Sequence, residues 1–493
     1  MNQQHMKTVE CDLCVIGTGI AGLNALNSAS EYLSKNDRVL VVDQKPKSQM
    51  LGGMWNHVYQ YVRLHQPHPL FTIGNKKWTI RKNASYLANR EEILSHFKSC
   101  YQSLKEKRTI EEQFGYIYQS HEEVKEGEEI VVHIQFVASD DSMPPLMVKA
   151  KRCIKAFGFN IEPNEPMSFS TDRVHSLSPE SPELLDGTVA GDDRPVYVIG
   201  GGKTSMDVAS LLLSQNPAQK INYIVGKGTY FLNRDTFFPE GIKKNWAGKT
   251  INQCMLDISN RYDPQQLSGT TRYLREKYGL AHFDQATQTF IGLLSPEEAA
   301  IIDQSIESTV YDYVLDVTET DEGLCLVYKS GRKEPIAEGS YLINCTGHIY
   351  PKSTTAEPVV SEHGRVLNIQ KTASTFIFTS IAGYFLPHVW FRDRFDKVPV
   401  LYFNHEDLAK KDKESFLYAF AAQVIHNQLR FFEALPFGIL YNCGLNFDKW
   451  FPLHRQLPVL ADMLLNKKKY LEKTKAVIDQ ICEKYGVENG VVG

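Results

Sequence analysis

The sequence predicts an α/β fold with two doubly wound parallel-sheet units, the second inserted into the first. Two similar stretches carry this prediction, because in each a short apolar strand runs into a glycine turn and the start of a helix, at residues 11–22 and 196–207. In addition, a later strand of each unit ends close to a glycine, at residues 156–158 and 345–347. Strands that alternate with helices in this way favour parallel sheets.

The first turn has glycines at three spaced positions and reads Gly17-Thr18-Gly19-Ile20-Ala21-Gly22. In a dinucleotide-binding turn, these glycines permit the tight bend, the close approach of a pyrophosphate and the packing of helix on strand. The next strand ends on Asp43, 21 residues past Gly22 (43 minus 22) and directly before Gln44, where a ribose-binding carboxylate is expected. The alternative is a glycine-rich turn of another α/β protein, with Asp43 as a strand-end cap.

The second turn has a serine in the third small position and reads Gly200-Gly201-Gly202-Lys203-Thr204-Ser205. The strand predicted after it, residues 221–225, ends in Gly226-Lys227 and has no carboxylate at the ribose position. A missing acid beside the cations Lys203, Lys227 and Arg234 suits a 2′-phosphate, which favours NADPH over NADH. The alternative is that these cations are only solvated.

Composition narrows the possible functions. A chain of 493 residues with 42% hydrophobic content can form two or three domains, and a net charge of −4 gives no reason to expect nucleic acid. The scattered cysteines and the lack of a leader-like segment predict a cytoplasmic protein, and the longest apolar run is too short for a transmembrane segment. Cys11 and Cys14 form a CxxC, but their spacing in a strand predicts opposite faces and disfavours a redox role.

Local patterns predict further elements. Apolar spacing favours helices at residues 91–104 and 415–428, and largely helical structure between 235 and 305. Strands are expected at residues 130–136, 147–154, 310–317, 324–328, 340–345 and 376–379.

These motifs together resemble flavin-containing monooxygenases and their bacterial relatives, flavoproteins with two dinucleotide-binding domains. The run Gly52-Gly53-Met54-Trp55 matches the GGxW of that family, and residues 59–67 resemble its Y-x-x-L-x-L-H-x-P passage. Residues 344–348 are similar to its A-T-G-Y turn, of which Thr346 and Gly347 carry over. The family's linker signature fits residues 169–175 less well, because Thr171 replaces a glycine.

The resemblance implies two cofactors. FAD would be held by Gly17, Gly19, Ile20, Ala21, Gly22, Asp43, Gln44, Gly53, Met54 and Trp55, and Thr346 and Gly347 would also contact a cofactor. NADPH would be held by Gly200, Gly202, Lys203, Thr204, Ser205 and Lys227. The corresponding segments are residues 1–165 for the FAD domain, 166–345 for the NAD(P)H domain with a helical insertion at about 235–305, 346–435 for the return to the FAD domain, and 436–493 for a helical tail.

The activity implied by the resemblance is a monooxygenase reaction with molecular oxygen. NADPH would reduce the flavin, and a peroxyflavin would then oxygenate a small nucleophilic substrate at nitrogen, sulfur or a ketone. His65 or Gln66 would donate a hydrogen bond at the reacting oxygen, unless both only satisfy backbone groups of their loop. His175 would either contact the nicotinamide nucleotide or anchor the linker.

Other functions stay open at this point. The altered linker allows an NAD(P)H oxidase or flavin reductase without productive hydroxylation. A nucleotide-binding flavoprotein with a regulatory role is the third possibility. A homodimer is the ordinary expectation for the oligomeric state.

Overall fold

A computed structural model describes residues 6–140, 142–158, 164–280, 283–286, 288–289, 291–347, 357–370, 376 and 378–492. The first unit begins with β1 (Lys7–Ile16), α1 (Ile20–Ala29), β2 (Val39–Asp43), α2 (Arg90–Lys105), β3 (Ile110–Phe114), β4 (Tyr116–Glu126), β5 (Glu129–Ala138) and β6 (Leu146–Gly158). All five residues of β2 are buried, as expected for a strand inside a parallel sheet covered on both faces.

The second unit follows, with its helices concentrated between the strands β9 and β13. Its first elements are β7 (His175–Leu177), α3 (Pro182–Leu185), β8 (Val196–Ile199), α4 (Lys203–Gln215), β9 (Ile221–Ile224), β10 (Phe231–Asn233), α5 (Arg234–Phe237), α6 (Lys243–Trp246), α7 (Ile251–Asn260) and α8 (Leu267–Tyr278). Its later elements are β11 (Gly279–Leu280), β12 (Leu293–Leu294), α9 (Pro296–Asp303), β13 (Ile306–Val310), β14 (Val314–Thr320), β15 (Gly323–Tyr328), β16 (Lys333–Ile336) and β17 (Tyr341–Asn344).

The rest of the chain adds one strand to the first sheet and then becomes mainly helical. Its elements are β18 (Val366–Gln370), α10 (Thr379–Phe391), β19 (Val400–Phe403), α11 (His405–Lys411), α12 (Lys413–Ala434), α13 (Phe437–Asn442), α14 (Leu453–Leu465), α15 (Lys467–Tyr485) and β20 (Asn489–Val492). Within the described ranges, the structure has no helix of the length and apolar character needed to cross a bilayer.

Both units contain a parallel sheet, which confirms the predicted fold class. In the first, the strands lie in the order β3-β2-β1-β6, and β18 pairs in parallel with the carboxyl half of β6. In the second, the order is β13-β9-β8-β17-β7, with parallel pairing throughout. Because β18 follows the whole second unit in sequence, the first unit is interrupted by the second, as predicted.

Several local predictions were wrong. The strand expected at 376–379 is not formed, since Thr379 begins α10, and the returning strand is β18, which the sequence analysis missed; position 377 lies outside the described residues. Aromatic and β-branched residues favoured a strand there, but tertiary packing decides. The single strand expected at 310–317 is two strands, β13 and β14.

The prediction that Cys11 and Cys14 face opposite sides was also wrong. Both belong to one buried cluster, where Cys14 contacts Cys11 and Cys153, and burial raises the pKa of the Cys14 thiol well above its usual range. The N–H groups of the two residues between the cysteines both donate to the carbonyl of Arg38, at 2.9 and 3.2 Å. This irregularity shifts the alternation of the strand by one residue.

The helices outside the two sheets share one apolar core, which we call the helical body: α7, α8, α11, α12, α14 and α15. The helix α12 lies at its centre, and its contacts reach α7 and α15. Asp448 links the tail to the insertion, because its carboxylate accepts hydrogen bonds from the backbone and side-chain N–H of Asn252 at 3.0 and 2.9 Å. The insertion and the tail, which the sequence analysis treated separately, therefore pack together.

Candidate functional site

The first glycine turn closes tightly against the end of β6. Gly17 has φ +101°, and a Cβ atom there would lie 2.4 Å from the carbonyl oxygen of Ala156. A Cβ on Gly22 would lie 2.0 Å from the carbonyl oxygen of Gly17. The geometry therefore requires glycine at both positions, as the motif predicted.

The second turn repeats this arrangement at the end of β17. Gly200 has φ +122°, and a Cβ atom there would lie 2.6 Å from the carbonyl oxygen of Cys345. Ser205 stands where the first turn has its third glycine, and its hydroxyl donates to the carbonyl of Gly200 at 2.6 Å. The two turns are thus equivalent in position and in the strand contact that shapes them.

The helices that follow the turns have uncapped N-termini, as α8, α10, α14 and α15 do, but of these six only α1 and α4 follow a glycine turn. The helices α2, α7 and α9 each begin with a capping box, in which side chains satisfy the first backbone N–H groups. The helices α1 and α4 begin at Gly19 and Gly202 with no side-chain cap and no acid in the first turn. Their free N–H groups and positive dipole ends suit a bound phosphate.

Asp43, at the end of β2, is buried and already accepts three hydrogen bonds. One carboxylate oxygen accepts from the N–H and hydroxyl of Thr18 at 2.7 and 2.6 Å, and the other accepts from the N–H of Lys45 at 2.9 Å. A carboxylate offers about four acceptor sites, so about one remains for a ribose hydroxyl. Asp43 therefore shapes the turn and can also contact a nucleotide.

The Gly52-Gly53-Met54-Trp55 segment lies directly on the first turn. Gly53 has φ +54°, and a Cβ atom there would lie 2.9 Å from the Cα of Gly19, so two backbones meet with no room for a side chain. The Trp55 ring is buried in the core of the first unit, edge-on to Phe71. It is the glycine backbone of this segment that faces the turn.

The remaining predicted residues of the first unit vary in exposure. Ile20 and Met54 are half-buried, Ala21 is buried and Gln44 is exposed. A Cβ on Gly383 of α10 would lie 2.4 Å from the carbonyl oxygen of Ala21, so α10 presses on the start of α1. This contact holds the predicted phosphate-binding helix end in place.

Two of the three cations predicted to bind a 2′-phosphate are already paired. The Lys203 ammonium contacts the Asp207 carboxylate one helical turn away. Arg234 forms an ion pair with Glu298 at 2.8 Å and donates to the carbonyl of His65 at 2.9 Å. A phosphate would have to compete with Asp207 for Lys203 and with Glu298 for Arg234.

The exposed Lys227 differs from them, and it has an unexpected neighbour. Lys413, the first residue of α12, lies close enough that burial and then the charge of Lys227 lower the pKa of Lys413. Within the described part of the chain, neither lysine has an ion-pair partner. Sequence analysis missed Lys413 because it is remote in the chain.

The passage after Trp55 crosses from the first unit to the second. The Tyr59 hydroxyl donates to the Asp207 carboxylate at 2.7 Å, and the Tyr61 hydroxyl donates to the carbonyl of Pro179 at 2.9 Å. Burial and Asp207 raise the pKa of Tyr59 well above its usual range, so the phenol remains protonated. These bonds place His65 and Gln66 opposite the second turn.

A cavity of about 1030 Å³ lies where the units and the helical body meet. The second turn, including Thr204, forms one wall, together with Thr346 and Gly347. Phe71 and Ile381 of the first unit reach it from another side, and most of the remaining lining side chains are apolar. His65 and Gln66, predicted as catalytic residues, both line this cavity, so the structure brings them to the second turn.

The imidazole of His65 is neutral in this setting. Burial, followed by the nearby charges of Lys203 and Arg234, lowers the pKa of His65 to about 3. Among the described residues, its ring nitrogens have no hydrogen-bond partner. A neutral imidazole can donate one hydrogen bond and accept another without adding charge.

The linker histidine lies elsewhere. His175 is at the beginning of β7, where its ring stacks on Tyr341 and its Nε2 is 2.8 Å from a guanidinium nitrogen of Arg194. The glycine turn follows the opposite, carboxyl end of the parallel strands. The structure therefore favours anchoring of the linker over contact with a nucleotide. His348 of the A-T-G-Y-like turn lies outside the described residues.

Comparison with solved structures identifies the fold. A steroid monooxygenase structure, oxidized and bound to NADP, matches with a TM-score of 0.50 and 12% identity, covering 82% of this chain and 91% of the other. The two share one fold. A cyclohexanone monooxygenase in a closed form matches with a TM-score of 0.49 and 14% identity, covering 93% of this chain and 98% of that one.

Sequence comparison gives a more limited match. No family model matches the chain. Uncharacterized proteins of Mycobacterium tuberculosis and Mycobacterium bovis are 26% identical over 250 residues, which is 48% of this chain and 42% of each relative. The match thus spans about two fifths of the length of these curated relatives.

Proposed function

We propose that the protein is an FAD-dependent monooxygenase, reduced by NADPH, that oxygenates a nucleophilic small molecule at nitrogen, sulfur or a ketone. The observation that carries this proposal is the pair of equivalent glycine turns, each opening a helix without a side-chain cap, with a large cavity beside the second. The NADP-bound steroid monooxygenase of the same fold supports it.

The residues of the first unit fit FAD. At Gly17, Gly19 and Gly53, neighbouring backbone lies on the side where a side chain would project. The uncapped start of α1 offers N–H groups to the pyrophosphate. Asp43 retains about one acceptor site for the ribose. The bound flavin would supply the electron transfer and the oxygen chemistry.

The chain's own residues would bind, orient and exclude water. The second turn, with Thr204 and Ser205, would hold the nicotinamide nucleotide against the cavity. His65 and Gln66 would donate hydrogen bonds to the transferred oxygen, since both line the cavity. Overall, one atom of O₂ enters the substrate and the other leaves as water, using the hydride of NADPH and one proton from solvent.

One observation favours the oxidase alternative. The linker is fixed to the second unit, because Ser170 binds Asp316 and the hydroxyl of Thr171 donates to Glu319 at 2.7 Å. In the family that the sequence resembles, this linker coordinates movement between the FAD and NADPH domains, and a restrained linker would hinder that movement. Hydrogen peroxide formed in proportion to NADPH with every substrate offered would establish the oxidase, whereas product formed in proportion to NADPH would exclude it.

Lys227 and Lys413, which have no ion-pair partner among the described residues, are expected to select NADPH over NADH. Lys413→Ala and Lys227→Ala are each expected to raise the KM for NADPH about 10- to 100-fold, since a charge-assisted hydrogen bond contributes about 1.5–3 kcal/mol. The KM for NADH should change little, because NADH has no 2′-phosphate. Steady-state kinetics with both nucleotides measures the ratio of the KM for NADPH to the KM for NADH.

Lys410 provides a matched control. It lines the same cavity, but its ammonium is paired with Glu406 at 2.6 Å. Lys410→Ala should leave the preference for NADPH unchanged. An unaltered NADPH-to-NADH ratio in both Lys227→Ala and Lys413→Ala would place the 2′-phosphate elsewhere.

We also propose a cytoplasmic location, as predicted from the sequence. All nine cysteines are free thiols, and eight of them are buried, which suits a reducing compartment. A homodimer stays a prediction.

A further inference from the structure

We infer that the substrate is a neutral, largely apolar molecule, bound in the part of the cavity that the helical body encloses. We call this part the apolar chamber, with Phe238, Met255, Phe378, Phe420, Val424 and Phe447 in its wall. The inference rests on the proposed function and narrows its substrate class to neutral acceptors such as ketones and thioethers.

The wall of the chamber is built from segments outside both glycine turns. Phe238 and Phe378 cross the ring of Phe447 at centroid distances of 5.9 and 6.4 Å, and Phe378 crosses Phe420 at 5.6 Å, all edge to face. Edge-to-face contacts fix aromatic rings in position. The chamber therefore offers a preformed apolar surface, as small-molecule sites do.

The wall of the chamber has no acid to receive a cationic amine. Among the described residues that line the whole cavity, Asp312 is the only carboxylate, and it already accepts from the hydroxyl of Ser330 and the N–H of Tyr313. Asp312 also lies near the Gly226 turn, where the adenosine end is expected. An ammonium group in the chamber would lose its hydration without gaining a carboxylate partner, and the faces of the phenylalanine rings would offset that loss only in part.

Four cations line the cavity: Lys203 and Lys227 on the side of the second turn, Lys410 in α11 and Lys413 at the start of α12. Val424 lies 11 residues beyond Lys413 (424 minus 413), about 16 Å away at 1.5 Å per residue. His65 is uncharged because burial lowers its pKa to about 3. A carboxylate in the chamber would thus also lack a counter-charge, which leaves neutral substrates.

The test compares a ketone with an amine of the same skeleton. Titration calorimetry of the FAD-loaded protein with NADP⁺ at pH 7.5 is expected to show 2-decalone binding at least 10-fold more tightly than 2-aminodecalin. Equal or tighter binding of the amine would overturn the inference. Binding needs no turnover, so a protein whose flavin fails to react could still bind the ketone, and the two proposals fail separately.

A charge placed in the wall should reverse this preference. Val424 is half-buried and faces the cavity, so Val424→Asp should weaken 2-decalone binding and strengthen 2-aminodecalin binding, each by about 10-fold. The neutral, isosteric Val424→Asn is the matched control and should not favour the amine. If Val424→Asp does not fold, the ratio of the affinities for 2-decalone and 2-aminodecalin in the unaltered protein decides. If Val424→Asp folds and this affinity ratio is unchanged, the chamber is not the substrate site.

Discussion

Replacing Gly17 with alanine is expected to remove FAD from the purified protein. The residue has φ +101°, and the new Cβ would lie 2.4 Å from the carbonyl oxygen of Ala156. Such a backbone conformation costs a non-glycine residue about 1–3 kcal/mol, and relief of the clash must move the turn away from β6. The absorbance ratio of flavin to protein measures the loss, which we expect to exceed 90%, roughly the effect of 1.4 kcal/mol or more on binding.

Gly200 and Gly127 provide the matched comparison. The Cβ atom of Gly200→Ala would lie 2.6 Å from the carbonyl oxygen of Cys345, so this substitution should abolish NADPH binding while FAD is retained. Gly127→Ala has φ +66° but no atom within 4 Å, so it tests backbone strain alone and should retain both nucleotides. A Gly17→Ala protein that purifies with full FAD would contradict the assignment of the first turn.

The second large effect is a loss of stability in mild acid. Burial is the main cause of lowered pKa values in five histidines, to about 3 in one and about 4 in four: His65, His96, His388, His405 and His426. Because each pKa lies below the ordinary value of 6.5, the unfolded chain binds more protons at acid pH. The free energy of unfolding is therefore largest above pH 6.5 and falls as the pH drops from 6.5 towards 4.

The size of this effect is set by the number of protons taken up. Each histidine contributes up to about 1.4 kcal/mol per pH unit, so even two of the five would remove about 3 kcal/mol per unit. That is a large part of the ~5–15 kcal/mol by which a typical protein is stable. Denaturant unfolding between pH 5 and 8 measures the slope.

His388 allows the account to be tested at one site. Its ring packs edge-on to Tyr32 and Tyr384, and among the described residues its Nε2 has no hydrogen-bond partner. His388→Phe preserves a ring of similar shape and removes the uptake of about one proton on unfolding. The slope of the unfolding free energy against pH should therefore fall by up to about 1.4 kcal/mol per pH unit. Stability that is unchanged between pH 7.5 and 5 in the unaltered protein would contradict the account.

The glycine turns could be predicted because their geometry is local. A strand, a turn and a helix start are encoded within about a dozen consecutive residues, and Gly17 and Gly200 are required by contacts with the strand that ends beside them. The pairing of Lys203 with Asp207 was also accessible, since residues four apart in a helix are neighbours. The role of Lys203 at a phosphate stays a prediction, which this pairing opposes.

The rest of the site depends on contacts between remote segments. Tyr59 and Asp207 are 148 positions apart, yet their hydrogen bond joins the two units. Lys413 reaches Lys227 only because α12 packs at the centre of the helical body. The chamber wall likewise combines the insertion, α12 and the tail, so no local pattern could predict which substrate it admits.

We propose that the two turns bind FAD and NADPH, that NADPH reduces the flavin, and that the reduced flavin then activates oxygen. Anaerobic addition of NADPH to the FAD-loaded protein, followed by oxygen in a stopped-flow spectrophotometer, tests it directly. We expect NADPH to bleach the flavin band and oxygen then to give a transient spectrum, distinct from both oxidised and reduced flavin, which decays faster when a substrate is present. A flavin band that NADPH does not bleach, or direct reoxidation with release of peroxide, would contradict it.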